Sequence, residues 1–337
     1  MAKEDKKARS IEVAALAQAS PSTVSRALAG DKRISKATRE RVLAAAQELS
    51  YQPNLIARSL KNRSTGIVGV VVTDLGNMYH AHTLKLLIDE MGARSLAPLV
   101  FACNATEGAD AVISRLMSYQ VDAVIALAAP FSADIVRSCK AGGKPLVLMN
   151  RYDGPEEVSI VSGDSVAGGA MVAEHLVERG ARSFAFFAGD DSTLISQDRE
   201  RGFSERLAEL GHSCTRRATS SYSYTQAQKA ADQLLQDPPD AVFCANDTLA
   251  FALMDMARKK FGYAIPDDLM VVGYDNSGIA TWPSYDLTSV DQSLSEMASQ
   301  TVATTLAMVG ASDTTPICKV VAPLLIHRGS TSSRNPN

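Results

Sequence analysis

The sequence predicts an α/β protein: an N-terminal all-α helix-turn-helix head followed by a two-lobed, doubly wound α/β body. Three observations carry this. The chain has 337 residues, about two to three times the usual ~100–200 of one domain, so more than one core is expected. Its basic charge is gathered at one end, residues 1–63 balancing to +7 and the remainder to −10, for a net −3. From residue 65 onward, β-branched runs alternate with helical periodicity, which is the pattern of parallel sheets covered by helices.

Composition narrows the class further. With 46% hydrophobic and 21% charged residues, the chain is an ordinary globular one, which excludes disorder and collagen-like repeats. No run of about 18 apolar residues occurs, and Met1–Lys7 leads into no apolar signal core, so neither a membrane span nor secretion is expected and the location implied is cytoplasmic. The cysteines (Cys103, Cys139, Cys214, Cys244, Cys318) are odd in number and widely spaced, without a CxxC pair. They are expected to be buried, reduced thiols rather than metal or redox ligands.

In the head, Ile11, Val13, Leu16 and Ala17 give a short apolar helical face, which Gln18-Ala19-Ser20 interrupts. A second helix then starts at Pro21, with Ser20 placed as its N-cap and Pro at the first helical position, where a missing N–H costs nothing. In this helix Val24 and Leu28 share the inward face, while Pro21, Ser22, Ser25 and Arg26 point outward. A third helix, beginning after Ser35, buries Val42, Ala46 and Leu49. Two short helices joined by a tight turn and braced by a third can present the second helix to a DNA major groove, and the basic charge of the segment suits phosphate.

The motifs Glu12-Val13-Ala14, Ser20–Leu28, Ser35–Val42 and Tyr51–Leu60 resemble the head and hinge of the lactose-repressor (LacI/GalR) family of bacterial transcription regulators. The resemblance implies operator recognition by residues 1–53. Pro21, Ser22 and Arg26 would face base edges, and Thr23, Ser25 and Lys36 would lie nearer phosphates. It also implies that residues 54–64 hold a hinge helix over Asn54–Lys61, folding only when two chains meet on palindromic operator DNA. Asn54, Ala57, Leu60 and Lys61 would touch DNA there, with Leu60 as an apolar wedge in the minor groove. The alternative for Leu60 is an apolar linker residue covering the body. Gln18 departs from the glycine usual in the family's turn, and a left-handed Gln would cost about 1 kcal/mol or more, so a locally adjusted turn is expected.

The body opens with the strand Thr65–Val72, and similar runs follow at Val121–Leu127, Pro145–Met149, Ser183–Ala188, Ala241–Cys244 and Leu269–Tyr274. Helical stretches lie between them, such as Met171–Arg179, stopped by Gly180. Polar residues gather just after the strands: Asp74 to Tyr79, Asn150-Arg151, Asp190 to Arg199, Asn246-Asp247 and Asp275-Asn276. Strand carboxyl ends are where such sheets bind ligands. This resembles the same family's type I periplasmic-binding-protein-like core, in which the chain crosses three times between lobes and a small molecule, often a sugar, binds in the cleft.

The resemblance assigns effector contacts to Arg199, Asn246 and Asp275, and ligand-facing aromatics to Tyr79 and Tyr222. Two positions are altered: His80 stands where an aromatic is usual, able to donate to a polar ligand or to be an exposed loop residue, and Asn150 stands where an Asp is usual. The body, 65–337, would divide into lobe one at about 65–163 and 292–320 and lobe two at about 164–291 and 321–330. A homodimer is implied, no cofactor or metal is, and the short polar tail Gly329–Asn337 argues against a tail-mediated tetramer.

Two other classes fit less well. A solute receptor of the same body fold would need a signal peptide and no head. A dinucleotide enzyme would need GxGxxG after the first strand, where the chain reads Val72-Thr73-Asp74-Leu75-Gly76-Asn77-Met78.

Overall fold

The computed structural model describes residues 9–28, 30–51, 64–103, 107–127, 131–150, 157–190, 194–311 and 315–332. The hinge positions Asn54, Ala57, Leu60 and Lys61 lie outside the described residues. The chain forms two compact units, Met1–Gly66 and Ile67–Asn337.

The first unit holds α1 (Ser10–Leu16), α2 (Pro21–Leu28) and α3 (Lys36–Glu48). Its core is built of small residues: Val13, Ala14, Ala17, Val24, Ala27, Val42, Ala45 and Ala46. The inward stripe of α1 is therefore Val13, Ala14 and Ala17. Ile11 and Leu16, expected inside, lie roughly a quarter-turn or more off that stripe and are exposed. The α1–α2 turn is not adjusted to its Gln. Gln18 takes the left-handed conformation at φ 50°, and the Ala19 N–H donates back to the Ala14 carbonyl at 2.9 Å, closing the helix in a Schellman arrangement. The next helix starts as its sequence dictates: the Ser20 Oγ accepts the Thr23 N–H at 3.1 Å, as Ser35 does for Thr38 on α3 at 3.3 Å.

The second unit has two six-stranded sheets. Sheet one contains β1 (Ile67–Val72), β2 (Ala97–Ala102), β3 (Ala123–Leu127), β4 (Leu146–Met149), β5 (Ser159–Gly163) and β11 (Cys318–Val321), in the order β11-β5-β4-β3-β1-β2, all parallel. Sheet two contains β6 (Phe184–Ala188), β7 (Cys214–Thr219), β8 (Ala241–Cys244), β9 (Met270–Tyr274), β10 (Thr288–Asp291) and β12 (Leu324–Ile326), in the order β12-β10-β9-β8-β6-β7. β12 runs antiparallel to β10, a departure from the parallel expectation: the chain reaches sheet two over the short link 322–323 and must enter it in the reverse direction.

On sheet one, α4 (Met78–Ala93) packs with α11 (Leu294–Met308), and α5 (Ala109–Ser118) with α6 (Ala133–Ala141). On sheet two, α7 (Ser165–Glu178) packs with α8 (Leu194–Glu209), and α9 (Tyr224–Leu234) with α10 (Asp247–Met256). Each sheet is doubly wound, with its switch point beside β1 or β6, where the carboxyl ends of the strands open a crevice. The three links between the sheets are bonded to one another. The Asp164 N–H donates to the Val321 carbonyl at 3.0 Å, and the Ser293 hydroxyl to the Ala322 carbonyl at 3.0 Å.

Cys103, Cys139 and Cys244 are buried as expected, but Cys214 is half-buried and Cys318 exposed. Both exceptions sit on edge strands, β7 and β11, whose alternate side chains face water.

One contact sets the position of α8. A Cβ on Gly202 would stand 2.0 Å from the Val166 carbonyl oxygen, and one on Gly169 would stand 2.2 Å from the Arg199 carbonyl oxygen. Backbone meets backbone here, so neither side can yield. Gly202→Ala should therefore destabilise the body by about 1–3 kcal/mol or more, read as a lower midpoint in urea unfolding followed by circular dichroism. An exposed helical glycine would instead be stabilised by the same change.

Candidate functional site

On the first unit, the outward face of α2 carries Pro21, Ser22, Ser25 and Arg26, all exposed. Thr23 is half-buried, with its Oγ1 2.9 Å from the Ser20 Oγ, which also lies 2.8 Å from the Ser22 Oγ. Lys36 opens α3 and is exposed, 4.0 Å from Glu40. A surface ion pair that long and that wet leaves the ammonium free to exchange partners. Arg33 is bound instead to Asp31 through Nε and Nη2, so it is less available than Arg26.

On the second unit, a cavity of about 220 Å³ is lined by Asn77, Tyr79, His80, Asn150, Ile195, Arg199, Tyr222, Asn246, Asp275 and Gln292. All seven body positions singled out from the sequence meet here. Asn77, Tyr79 and His80 follow β1, and Asn150 follows β4. Ile195 and Arg199 stand on α8 after β6, while Tyr222, Asn246 and Asp275 follow β7, β8 and β9. Gln292 lies on the link between β10 and α11.

Arg199 is the centre of this group. Only 3% of it is exposed. Its Nη1 donates to the Ala245 carbonyl, its Nη2 stands 3.8 Å from the Asp275 Oδ1, and its guanidinium carbon lies 3.6 Å from the centroid of the Tyr274 ring. Asp275 adopts φ 108° and accepts the Gln292 Nε2–H at 2.6 Å. Burial pushes its carboxyl up to about 7, against the pull of Arg199 and with the help of the nearby Asp247 charge. Asp247, fully enclosed, is itself raised to about 6 by burial, although the Ser289 hydroxyl at 2.6 Å and the Ser277 N–H at 2.7 Å donate to it.

The remaining walls are ordered locally. Asn246 caps α10 through Oδ1, which accepts the Leu249 N–H at 2.9 Å, and Asn77 caps α4 by accepting the Tyr79 N–H at 3.0 Å. Asn150 is buried in a left-handed conformation at φ 60°. The Tyr222 ring crosses Gly189 so closely that a Cβ there would stand 2.2 Å from it. His80 is not a loop residue: it sits in the first turn of α4, half-buried, edge-on to Tyr79 at 5.6 Å. Burial pushes its imidazole pKa down. The Tyr79 hydroxyl, the Arg199 Nε and the Gln292 Oε1 are buried without a hydrogen-bond partner. Buried polar atoms in that state are costly, and all three belong to residues that line the cavity.

Sequence reasoning missed Asn77, Ile195 and Gln292. Asn77 carries a cap signal before a helix, but Ile195 and Gln292 carry none. Among the described residues, no group of three His, Cys, Asp or Glu is placed to hold a metal ion, and no helix is long and apolar enough to cross a membrane.

Comparison with known proteins places this geometry. Residues 11–54 match the family model described as bacterial regulatory proteins, lacI family, and residues 173–331 match a periplasmic binding protein-like domain. The chain is 30% identical over 291 residues to the ribose operon repressor of Halalkalibacterium halodurans, covering 85% of this chain and 86% of that protein. It is 28% identical over 286 residues to the catabolite control protein A of Staphylococcus xylosus, with 84% and 87% covered. Among solved structures, the transcriptional regulator CelR–cellobiose complex matches with a TM-score of 0.70 and 28% identity, over 96% of this chain and 99% of that one. The chain belongs to the lacI family of bacterial regulatory proteins: it is a ligand-responsive, DNA-binding transcriptional repressor.

Proposed function

We propose that the chain acts in the cytoplasm as a homodimer on palindromic operator DNA, and that a small polar metabolite, a sugar or a close relative, binds the cleft and sets operator affinity. The observation that carries this reading is the convergence of Tyr79, His80, Asn150, Arg199, Tyr222, Asn246 and Asp275 on one cavity. Two of the similar proteins are named for a sugar, ribose in one and cellobiose in the other. We assign no catalytic step to the chain.

On this reading the α2 face enters the major groove. Pro21, Ser22 and Arg26 meet base edges, Thr23, Ser25 and Lys36 meet phosphates, and Asn54, Ala57, Leu60 and Lys61 of the hinge segment complete the contact in the minor groove. Arg26 can grip guanine through two N–H groups. Arg26→Ala should cost about 1–3 kcal/mol of operator binding and relax discrimination at one base per half-site, whereas Lys36→Ala should weaken every sequence alike. Fluorescence anisotropy on a set of single-base operator variants checks this; equal losses on all sequences for Arg26→Ala would remove it from base readout.

In the cleft, Arg199→Ala and Asp275→Ala should abolish the ligand's effect on operator affinity while leaving ligand-free operator binding nearly intact, since neither residue belongs to the basic head. Operator titrations with and without a ligand found by thermal-shift screening test this, and variants that respond as the parent does would place the ligand elsewhere.

The raised carboxyl of Asp275 adds a pH dependence whose sign is fixed. A ligand hydroxyl donates more strongly to a carboxylate than to a carboxylic acid. Binding therefore favours the ionised form and expels a proton, so affinity should rise between about pH 6 and about pH 8 by up to about tenfold in all, levelling off above the carboxyl's pKa of about 7. Burial pushes the His80 imidazole toward its neutral form. Calorimetric titrations across the range should show the rise in the parent and a flat response in Asp275→Asn.

A further inference from the structure

The turn that follows β9 is held in a conformation its residues do not favour. Asp275 and Asn276 both have positive φ, 108° and 46°. Neither is glycine, so the turn keeps this shape only where its surroundings fix it. The shape aims the Asp275 carboxylate, whose Oδ1 accepts the Gln292 Nε2–H at 2.6 Å and stands 3.8 Å from the Arg199 Nη2.

Much of the fixing converges on one buried side chain. Asp247, 2% exposed, opens α10 directly after Asn246, which lines the cavity. Its Oδ2 accepts the Ser277 N–H at 2.7 Å, and its Oδ1 accepts the Ser289 hydroxyl at 2.6 Å. That hydroxyl in turn accepts the Asn276 N–H at 3.0 Å. Two successive amides of the turn are thus tied to Asp247, one directly and one through Ser289. The Asn276 side chain adds a bond to Asp291 at 2.8 Å and accepts one from Arg328 at 2.6 Å. β9 makes room for the carboxylate, since a Cβ on Gly273 would stand 2.3 Å from the Asp247 Oδ1. A carboxylate enclosed in this way costs stability that a small neutral residue would not. What it offers in return is an acceptor at each oxygen, in one short side chain.

We propose that Asp247 is the positioning residue of the cleft: through Ser277 and Ser289 it locks residues 275–277 and so directs the Asp275 carboxylate. That Asp275 meets a ligand rests on the cleft reading; that Asp247 holds it does not. The same side chain also acts on Asp275 through space. Arg199 on α8 favours the Asp275 anion, while Asp247 on α10 and Asp291 on β10 oppose it. The neutral Gln292 amide and the Tyr79 hydroxyl complete the surroundings. Removing the Asp247 charge should therefore let Asp275 ionise at lower pH.

Two measurements on the full chain, neither using a ligand, test this. The first is amide hydrogen exchange read by mass spectrometry over residues 274–282. Asp247→Ala should speed exchange there by about tenfold or more while α7 and α8 keep the parent's protection. Ser289→Ala, which breaks the same link from the strand side, should do likewise. In Asp247→Asn the amide oxygen can accept the Ser277 N–H and the amide N–H can donate to Ser289, so most of the protection should return. Exchange as slow as the parent's in Asp247→Ala or in Ser289→Ala overturns the proposal, and an Asp247→Asn that protects no better than Asp247→Ala removes hydrogen bonding as the cause.

The second is a carbon-13 titration of the Asp275 carboxyl, identified as the signal that vanishes in Asp275→Asn. Its midpoint should fall by about half a unit or more in Asp247→Asn. Loosened packing alone would not predict that direction, and a midpoint that stays or rises overturns the electrostatic half of the assignment. Either failure leaves the cleft reading standing, because that reading is decided separately by the operator titrations of Arg199→Ala and Asp275→Ala.

Discussion

A guanidinium with 3% of its surface exposed must have its charge met by the protein, because an uncompensated buried ion costs several kcal/mol. Arg199 imposes that demand on the whole cleft. The Gly202 and Gly169 contacts let α8 lie directly on α7, which brings Arg199 to the end of β8, where the Ala245 carbonyl receives it. Tyr274 supplies the face beneath and Asp275 the counter-charge. Asp275 in turn would be a poor buried anion alone. It is tolerated because Arg199 and the Gln292 amide stand against it, and its raised carboxyl records how incomplete that compensation is.

Gln292 carries the same constraint to the links between the sheets. It belongs to the segment joining β10 to α11, and its neighbour Ser293, left-handed at φ 56°, donates to the Ala322 carbonyl on the next link. Asp164 on the first link bonds Val321 beside that one. The electrostatic centre of the cleft is thus one hydrogen bond from the links that join the two sheets.

How much of this was legible in the sequence follows from burial. Strands covered on both faces read as continuous apolar runs, and β1, β3, β4, β6, β8 and β9 were recognisable for that reason. β7, with Arg216 and Arg217 in its middle, was not, since an edge strand shows water every second residue. The same holds for Cys318 on β11. In the head, the Ser20-Pro21 cap signal was local and readable, whereas the exposure of Ile11 and Leu16 depends on small alanines forming the core across three helices, which no single helix reveals. Ile195 and Gln292 escaped because their place in the cavity comes from tertiary packing alone. The contact of the His80 Nδ1 with the Asp74 carbonyl oxygen, 3.0 Å away, escaped for a different reason: it follows from the orientation of the turn after β1 rather than from a residue identity.

Magnitudes limit how the proposed cleft ligand can act on DNA binding. A ligand changes an equilibrium between two lobe arrangements only by its differential affinity for them, and reversing a 99:1 preference requires about 5.5 kcal/mol. Net hydrogen bonds contribute roughly 0.5–1.5 kcal/mol each, so about four or more must exist in one arrangement and be lost in the other. Contacts to a single lobe move with that lobe and contribute nothing to the difference. The ligand must therefore bridge Tyr79, His80 and Asn150 on one wall to Arg199, Tyr222, Asn246 and Asp275 on the other. Because the coupling is a free energy, operator DNA must alter the ligand's affinity by the same factor. A cleft whose polar groups all stood on one lobe could bind just as tightly and regulate nothing.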